Sequence, residues 1–214
     1  MGSRCGDRNF LCLAIFLLSS LSVSVFGASA PTVTLSVDAS EAPRKIIHAQ
    51  LRIPSGPGTL TLYYPKWIPG EHGPTGPITD LTGLKFSAGG KTLIWRRDLL
   101  DGFTFHVEVP PGVNEVTANL DYASPASFEP GYSAGMAATD KLYIVNWNTL
   151  LLYPAGYGSD QLTYDASLRL PAGWEFGTSL HVSNQVGGDI HFAPVSLTML
   201  VERSIFSTAL RASF

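Results

Sequence analysis

The chain has 214 residues, of which 45% are hydrophobic and 14% are charged, and its formal net charge is −3. The charged share is low against a usual share of about 25%, and basic residues cluster only at Arg44-Lys45 and Arg96-Arg97. This distribution argues against nucleic-acid binding. The 21 glycines and 15 prolines are spread among plentiful apolar residues, which favours an all-β domain with many turns over a disordered chain.

The first thirty residues have the layout of a secretory signal peptide. Two arginines precede an apolar run over 10–26 that serines dilute, and the small residues of 27–30 follow. A spanning helix needs about 20 predominantly apolar residues, so we expect a cleaved leader helix over 1–30 and no stable membrane span afterwards. Cleavage after Ala30 and cleavage after Gly27 are the alternatives, because Pro31 obstructs the first. The protein is therefore expected to be exported to the periplasm or the extracellular space.

Both cysteines lie in this leader, at Cys5 and Cys12. The mature chain is therefore predicted to contain no disulfide, no cysteine nucleophile and no cysteine-ligated zinc. Its length suffices to bury about 70% of the unfolded surface, which predicts one stable domain.

Alternation of apolar and polar residues predicts strands through most of the mature chain. Turn signals separate these segments at a spacing typical of an antiparallel β-sandwich or a saddle-like sheet of about ten strands. Gly89-Gly90 is the strongest hairpin signal, and no segment shows a convincing helical period. The predicted strands are 32–38, 45–53, 59–64, 78–86, 92–96, 103–109, 116–122, 142–147, 162–170, 190–192 and 195–201.

A loop rich in proline and glycine follows the third predicted strand and covers 64–77; we call it the Trp67 loop. Because proline fixes φ and glycine permits positive φ, this composition predicts a stiff, shaped loop. Loops on rigid scaffolds often carry binding residues, so we predict here a surface that contacts a neighbouring domain or a peptide. The candidate contact residues are Trp67, Ile68, Pro69, Gly70, Glu71 and His72.

The sequence contains no recognisable catalytic apparatus. None of its five histidines lies in a His-Glu-x-x-His segment or at a spacing suited to one metal ion. Ser133 sits in Gly-Tyr-Ser-Ala-Gly at 131–135, but no helix pattern follows it, so it is not predicted to be a nucleophile. Loop aromatics leave open a platform for sugars or peptides. These aromatics are Tyr63, Tyr64, Trp67, Trp147, Tyr153 and Tyr157.

Four short segments occur in order along 32–201: Trp67-Ile68-Pro69-Gly70, 148–156, 170–174 with 178–180, and 192–195 leading to 200–201. Together they resemble the N-terminal β-domain of the glycyl aminopeptidases, which are secreted zinc metallopeptidases also called peptidase family M61. The resemblance implies that residues 31–201 form this β-domain. In full-length relatives it implies a following thermolysin-like catalytic domain and often a PDZ domain.

The resemblance implies a non-catalytic domain that docks on a metallopeptidase catalytic domain and helps to shape its substrate cleft. The implied partners are that catalytic domain or its peptide substrate. Zinc is implied for full-length relatives, and this sequence matches none of the zinc ligands, so no catalytic residue, metal ligand or cofactor is assigned to the chain. Asn146, Asn148 and Tyr153, in or beside the second segment, are secondary contact candidates. The alternative function is a free-standing exported β-sandwich module that binds peptide or carbohydrate through loop aromatics.

Residues 202–214 depart from the family pattern and continue neither a strand alternation nor a clear amphipathic helix. This break predicts a tail outside the family domain, produced by truncation or a frameshift of the gene. Translating the DNA beyond codon 201 in all three frames tests the idea, because a truncated gene should still encode His-Glu-x-x-His downstream.

Overall fold

The structure, a computed structural model, describes Gly2 and residues 30–68, 70–125, 138–202 and 208–212. The predicted leader helix lies outside these ranges, as do Pro69 and Ser133. Within them, no helix has the length and apolar character needed to cross a bilayer.

Strands dominate the described residues, so the prediction of a mostly β protein is confirmed. Sixteen strands lie in the described ranges where about ten were predicted, because several edge strands of two to five residues are too short to show alternation. The strands are β1 (Thr32–Asp38), β2 (Ile46–Pro54), β3 (Gly58–Tyr63), β4 (Leu81–Ala88), β5 (Lys91–Thr92), β6 (Trp95–Arg97), β7 (Thr104–Val109), β8 (Glu115–Ala123), β9 (Leu142–Val145), β10 (Tyr153–Pro154), β11 (Thr163–Arg169), β12 (Trp174–Gly177), β13 (Val182–Val186), β14 (Asp189–Phe192), β15 (Val195–Ser196) and β16 (Thr208–Ala212). One α-helix, α1 (Leu197–Glu202), and two 3₁₀ turns, Ala42–Arg44 and Trp147–Thr149, complete the elements.

The strands form three sheets. The largest has nine strands in the order β13-β14-β11-β1-β2-β8-β4-β5, with β15 paired to β11 beside this path. A four-stranded sheet has the order β10-β3-β7-β6, and a three-stranded sheet has the order β12-β16-β9.

The large sheet is mixed, so the prediction of a purely antiparallel architecture is wrong. Strands β1 and β11 pair in parallel from Thr32 opposite Thr163 to Asp38 opposite Arg169. Side-chain alternation has the same period in both directions of pairing, so the sequence pattern carries no information on strand direction.

One hydrophobic cluster contains residues from all three sheets. Trp95 of β6 joins the large sheet to the four-stranded sheet, because its ring lies edge-on against Phe86 at 5.7 Å and against Phe105 at 5.8 Å. Tyr143 and Leu210 extend the cluster into the three-stranded sheet, and both are fully buried. Each buried aromatic or aliphatic side chain stabilises the fold by about 1.5–3 kcal/mol relative to exposure.

Two predictions near the C-terminus are wrong. The segment 195–201 was predicted as one strand, but only β15 pairs there and helix α1 follows directly. The segment 202–214 was predicted to contain no strand, yet β16 pairs with β9 on one side and β12 on the other. Main-chain hydrogen bonds on both edges hold β16 in place, and such pairing requires no regular side-chain pattern.

Candidate functional site

The Trp67 loop is anchored by buried residues on either side of its tryptophan. The Tyr64 hydroxyl donates to the carbonyl oxygen of Thr149 at 3.1 Å, and the Tyr64 N–H donates to that of Phe103 at 2.8 Å. Burial raises the pKa of Tyr64, so this hydroxyl keeps its proton. Ile68 is also buried, whereas Trp67 between them is 66% exposed. The loop is therefore fixed to the core by Tyr64 and Ile68, and it exposes the Trp67 ring to solvent.

A close backbone approach at Gly76 shapes the far side of the same loop. The Gly76 N–H donates to the carbonyl oxygen of Lys66 at 3.1 Å. A Cβ at this position would collide with the carbonyl oxygen of Pro65 and would lie 3.1 Å from the Phe103 ring. Only glycine allows the two arms of the loop to meet at this distance.

The remaining loop candidates have different environments. Gly70 has a φ of +86°, and the Glu71 N–H donates to the carbonyl oxygen of Ile68 at 3.0 Å, which closes a tight turn. Glu71 is half-buried and His72 is exposed. Neither side chain lines the groove described next, so a contact role for Glu71 and His72 stays a prediction, and Pro69 lies outside the described residues.

A groove of about 210 Å³ lies beside Trp67. It brings the loop together with Tyr153 of β10 and with one side of α1, three elements far apart in the sequence. Its polar groups include two hydroxyls that bond to each other, Thr198 Oγ donating to Ser159 Oγ at 2.8 Å. The lining residues are Pro65, Trp67, Tyr153, Ser159, Leu197, Thr198 and Val201.

Tyr153 is the secondary candidate that reaches the groove. Its ring packs against Tyr63 with a centroid distance of 5.5 Å, and partial burial raises its pKa. Asn146 and Asn148 do not line the groove. The Asn146 carbonyl accepts hydrogen bonds from the Thr149 N–H at 3.0 Å and the Thr149 hydroxyl at 2.7 Å, and Asn148 is fully buried. Both asparagines therefore belong to the 3₁₀ turn that supports Tyr64.

A second apolar feature adjoins the Trp67 loop. Leu99 and Leu100 lie in the turn between β6 and β7, where they are 95% and 100% exposed; we call residues 98–101 the Leu99 tip. Lys66 Nζ donates to Asp101 Oδ1 at 3.1 Å and lies 5.4 Å from the centre of the Phe103 ring. The Lys66–Asp101 ion pair therefore links the tip to the loop.

A polar trough of about 640 Å³ lies on the face of the large sheet formed by β1, β2, β8, β11 and β14. His48 Nδ1 and Asp121 Oδ1 lie 2.6 Å apart in this trough. Gly83, with a φ of +63° at a β4 bulge, makes room for the Asp121 carboxylate, which a Cβ would strike. Arg169 Nε donates to Asp189 Oδ1 at 2.8 Å on the opposite side. These side chains bond to each other, and the trough shows no nucleophile paired with His48.

The described ranges contain no group of three or more histidine, cysteine, aspartate or glutamate side chains placed to hold a metal ion. The arrangement beside Trp67 is suited to holding an apolar side chain, because its walls are mainly aromatic and aliphatic and the Thr198 and Ser159 hydroxyls bond to each other. Sequence reasoning selected Trp67 and Tyr153 but missed α1 and the Leu99 tip. The signal for the tip was present as two consecutive leucines between Asp98 and Asp101-Gly102, a polar turn setting in which apolar residues are exposed.

The family comparison covers most of the chain. The family described as the Peptidase M61 N-terminal domain matches residues 34–206. The chain belongs to this family. The resemblance inferred from the four short segments is thus confirmed, and the M61 N-terminal domain has the three-sheet structure described above. No curated protein sequence is significantly similar to the chain.

Solved structures share the fold of this M61 N-terminal domain. An aminopeptidase N family protein from Idiomarina loihiensis has a TM-score of 0.66 at 15% identity, covering 85% of this chain and 29% of its own. An M1 zinc metallopeptidase from Deinococcus radiodurans has a TM-score of 0.52 at 10% identity, with coverages of 86% and 42%. Yeast LTA4 hydrolase has a TM-score of 0.50 at 10% identity, with coverages of 86% and 28%. The chain therefore spans less than half the length of these neighbours.

Proposed function

We propose that this chain is a non-catalytic N-terminal domain that docks on the catalytic domain of an M61 metallopeptidase and helps to shape its substrate cleft. Family membership supports the proposal, because the matched family is defined as the N-terminal domain of a peptidase. The similar structures support it too, since peptidase chains share this fold over 29% and 42% of their own lengths.

The exposed position of Trp67 beside an apolar groove is the observation that carries the proposal. Tryptophan anchors in well-packed pockets contribute much of the binding energy of protein interfaces. The groove is bounded by α1, which lies at the C-terminal end of the matched region. In a peptidase, that end of an N-terminal domain is the one joined to the rest of the chain. A partner seated there would cover Trp67 and fill the groove.

Binding to a catalytic domain tests the proposal. A catalytic domain from an M61 peptidase, produced without its own N-terminal domain, should bind the purified chain in calorimetry. Replacing the anchor by W67A should weaken this binding by about thirtyfold, the loss expected for an interface hot spot. The matched control is Y157A, an exposed aromatic residue outside the groove, which should leave the affinity within about twofold. Equal losses for both variants would argue against a specific docking role for Trp67.

Zinc belongs to the catalytic domain in this proposal, and no cofactor is assigned to the chain. After incubation with zinc and removal of free metal, the purified chain should retain no stoichiometric zinc. It should also release no p-nitroaniline from glycyl or alanyl p-nitroanilide. Stoichiometric zinc together with aminopeptidase activity would refute the non-catalytic role.

The second candidate is an exported β-module that binds peptide or carbohydrate. The observation in its favour is that the exposed Trp67 and Tyr153 line one groove, since aromatic side chains in a groove also bind sugars and peptide side chains. Glycan and peptide arrays separate the two functions. Array binding that W67A abolishes, without any binding to a catalytic domain, would favour this second candidate.

We also propose export, with removal of the leader after Gly27 or Ala30. The test is N-terminal sequencing of the protein recovered from the producing cell and its medium. The mature chain should begin at Ala28 or Pro31. A chain that retains Met1 in the cytoplasm would contradict export.

A further inference from the structure

The Leu99 tip presents two adjacent leucines that are almost wholly exposed. Leu99 is 95% exposed and Leu100 is 100% exposed. Single exposed leucines are common on protein surfaces, but two neighbours at the apex of one turn form a contiguous apolar patch. Such patches mark interaction sites.

The tip is rigid because Asp98 organises its backbone. Asp98 Oδ1 accepts hydrogen bonds from the Leu100 N–H at 2.8 Å and the Asp101 N–H at 3.0 Å. Asp98 Oδ2 lies 3.0 Å from His106 Nε2 on β7. The bond with His106 and the two backbone bonds lower the pKa of Asp98 to about 2, so its carboxylate stays ionised at physiological pH. A turn held in this way loses little conformational entropy when a partner binds it.

Asp101 connects the tip to the Trp67 loop. Its carboxylate accepts hydrogen bonds from the Phe103 N–H at 3.2 Å, from Lys66 Nζ at 3.1 Å and from the Thr104 hydroxyl at 3.3 Å. Since Lys66 directly precedes Trp67, this carboxylate links the tip to the Trp67 loop.

The charges around the tip indicate the chemistry of the partner. Both carboxylates of the tip are already paired, Asp98 with His106 and Asp101 with Lys66. Arg96 and Arg97 are exposed, and among the described residues neither forms an ion pair. The Arg97 guanidinium also lies 5.3 Å from the centre of the Phe105 ring. Two leucines beside two exposed cationic side chains complement an apolar socket bordered by carboxylates.

We propose that the Leu99 tip is a second anchor of the docking surface, which inserts Leu99 and Leu100 into an apolar, acid-bordered socket on the peptidase catalytic domain. The inference rests on the proposed docking function and adds a second contact to it. Continuity with the Trp67 loop favours one partner for both features. Arg96 and Arg97 would pair with carboxylates at the rim of that socket.

The test uses the same catalytic domain and the full chain. The double variant L99S/L100S should weaken binding by about thirtyfold, equivalent to about 2 kcal/mol, with the melting temperature unchanged because both side chains are already exposed. The variant R96Q/R97Q should weaken binding and flatten its dependence on salt. The matched control is V186S, which removes a 67% exposed apolar side chain from the β13–β14 hairpin and should leave affinity within about twofold.

The outcomes separate the two proposals. If W67A weakens binding but L99S/L100S does not, the second anchor is refuted and the docking function stands. If the unaltered chain binds no catalytic domain, both proposals are refuted. Cosedimentation with vesicles of phosphatidylglycerol and phosphatidylethanolamine is the parallel measurement. Vesicle binding that L99S/L100S abolishes, with docking unaffected, would assign the tip to a membrane surface and overturn the inference.

Discussion

Gly76 keeps the Trp67 loop closed, because no side chain fits between its Cα and the carbonyl oxygen of Pro65. We expect Gly76→Ala to destabilise the protein by about 1–3 kcal/mol, since a methyl group there forces the two arms of the loop apart. Gly73→Ala is the control, because the nearest atom to its added Cβ is 3.9 Å away in the Thr75 side chain. Thermal denaturation of both variants measures the difference. Equal melting temperatures for Gly76→Ala and Gly73→Ala would show that separating the two arms of the loop does not destabilise the protein.

His48 provides a pH-dependent contribution to stability. Its hydrogen bond with Asp121 is the largest influence and raises the pKa of His48 above 6.5, and the carboxylates of Glu41 and Asp38 act in the same direction. Partial burial opposes them. Because the folded-state pKa is raised, the stabilisation is fully present below about pH 6.5 and is lost as pH rises through the folded-state value.

The variant His48→Gln tests this coupling, since glutamine retains a hydrogen-bond donor but does not titrate. Denaturant unfolding should show a larger stability difference between wild type and variant at about pH 6 than at about pH 8.5. A difference that is constant across this range would mean that folding leaves the pKa of His48 unchanged.

At the scale of elements, β16 is the strand on which the three-stranded sheet depends. It pairs with β9 and with β12, and its Leu210 is fully buried in the core cluster. We expect Leu210→Ala to lower the free energy of unfolding by about 2–5 kcal/mol, through lost transfer energy and a residual cavity. Leu100→Ala, the same substitution at a wholly exposed position, should change stability by less than about 0.5 kcal/mol. An unchanged free energy of unfolding in Leu210→Ala would contradict the burial of β16 in the core.

Alternation predicted the strands whose two faces differ in environment. The bounds of β1 were predicted without error because Val33, Leu35 and Val37 alternate with polar residues from the first residue to the last. The Gly89-Gly90 hairpin was also predicted correctly, and both glycines have positive φ. Strand β13 was missed because it is largely exposed and its residues need not alternate. Strand β12 was missed because its four residues are too few for their alternation to stand out. Helix α1 was missed because six residues are too few to show a helical period.

The candidate site was predicted in part for similar reasons. Proline and glycine composition identified the Trp67 loop, since those residues restrict the backbone locally. Trp67 and α1 line the same groove although they are about 130 positions apart in the chain. No local sequence pattern encodes such a long-range arrangement. No role was assigned to His48 or His106 from the sequence, and each is paired with a carboxylate from another element.

For the molecule as a whole, two surfaces are candidates for binding a partner. The apolar surface combines the Trp67 loop, its groove and the Leu99 tip, whereas the polar trough lies on the large sheet. The trough's charged side chains already pair with each other, and its walls lack aromatic residues. Burial of apolar area drives most protein association, so we expect the partner to cover the first surface and leave the second in solvent.

Hydrogen–deuterium exchange of the chain, with and without an M61 catalytic domain, tests this central claim most directly. Docking as proposed should slow exchange in the segments 64–77 and 98–103 and in α1, with no change in the trough segments 36–38, 48–50 and 119–121. Protection confined to the trough segments, or no protection anywhere at saturating catalytic domain, would contradict the account.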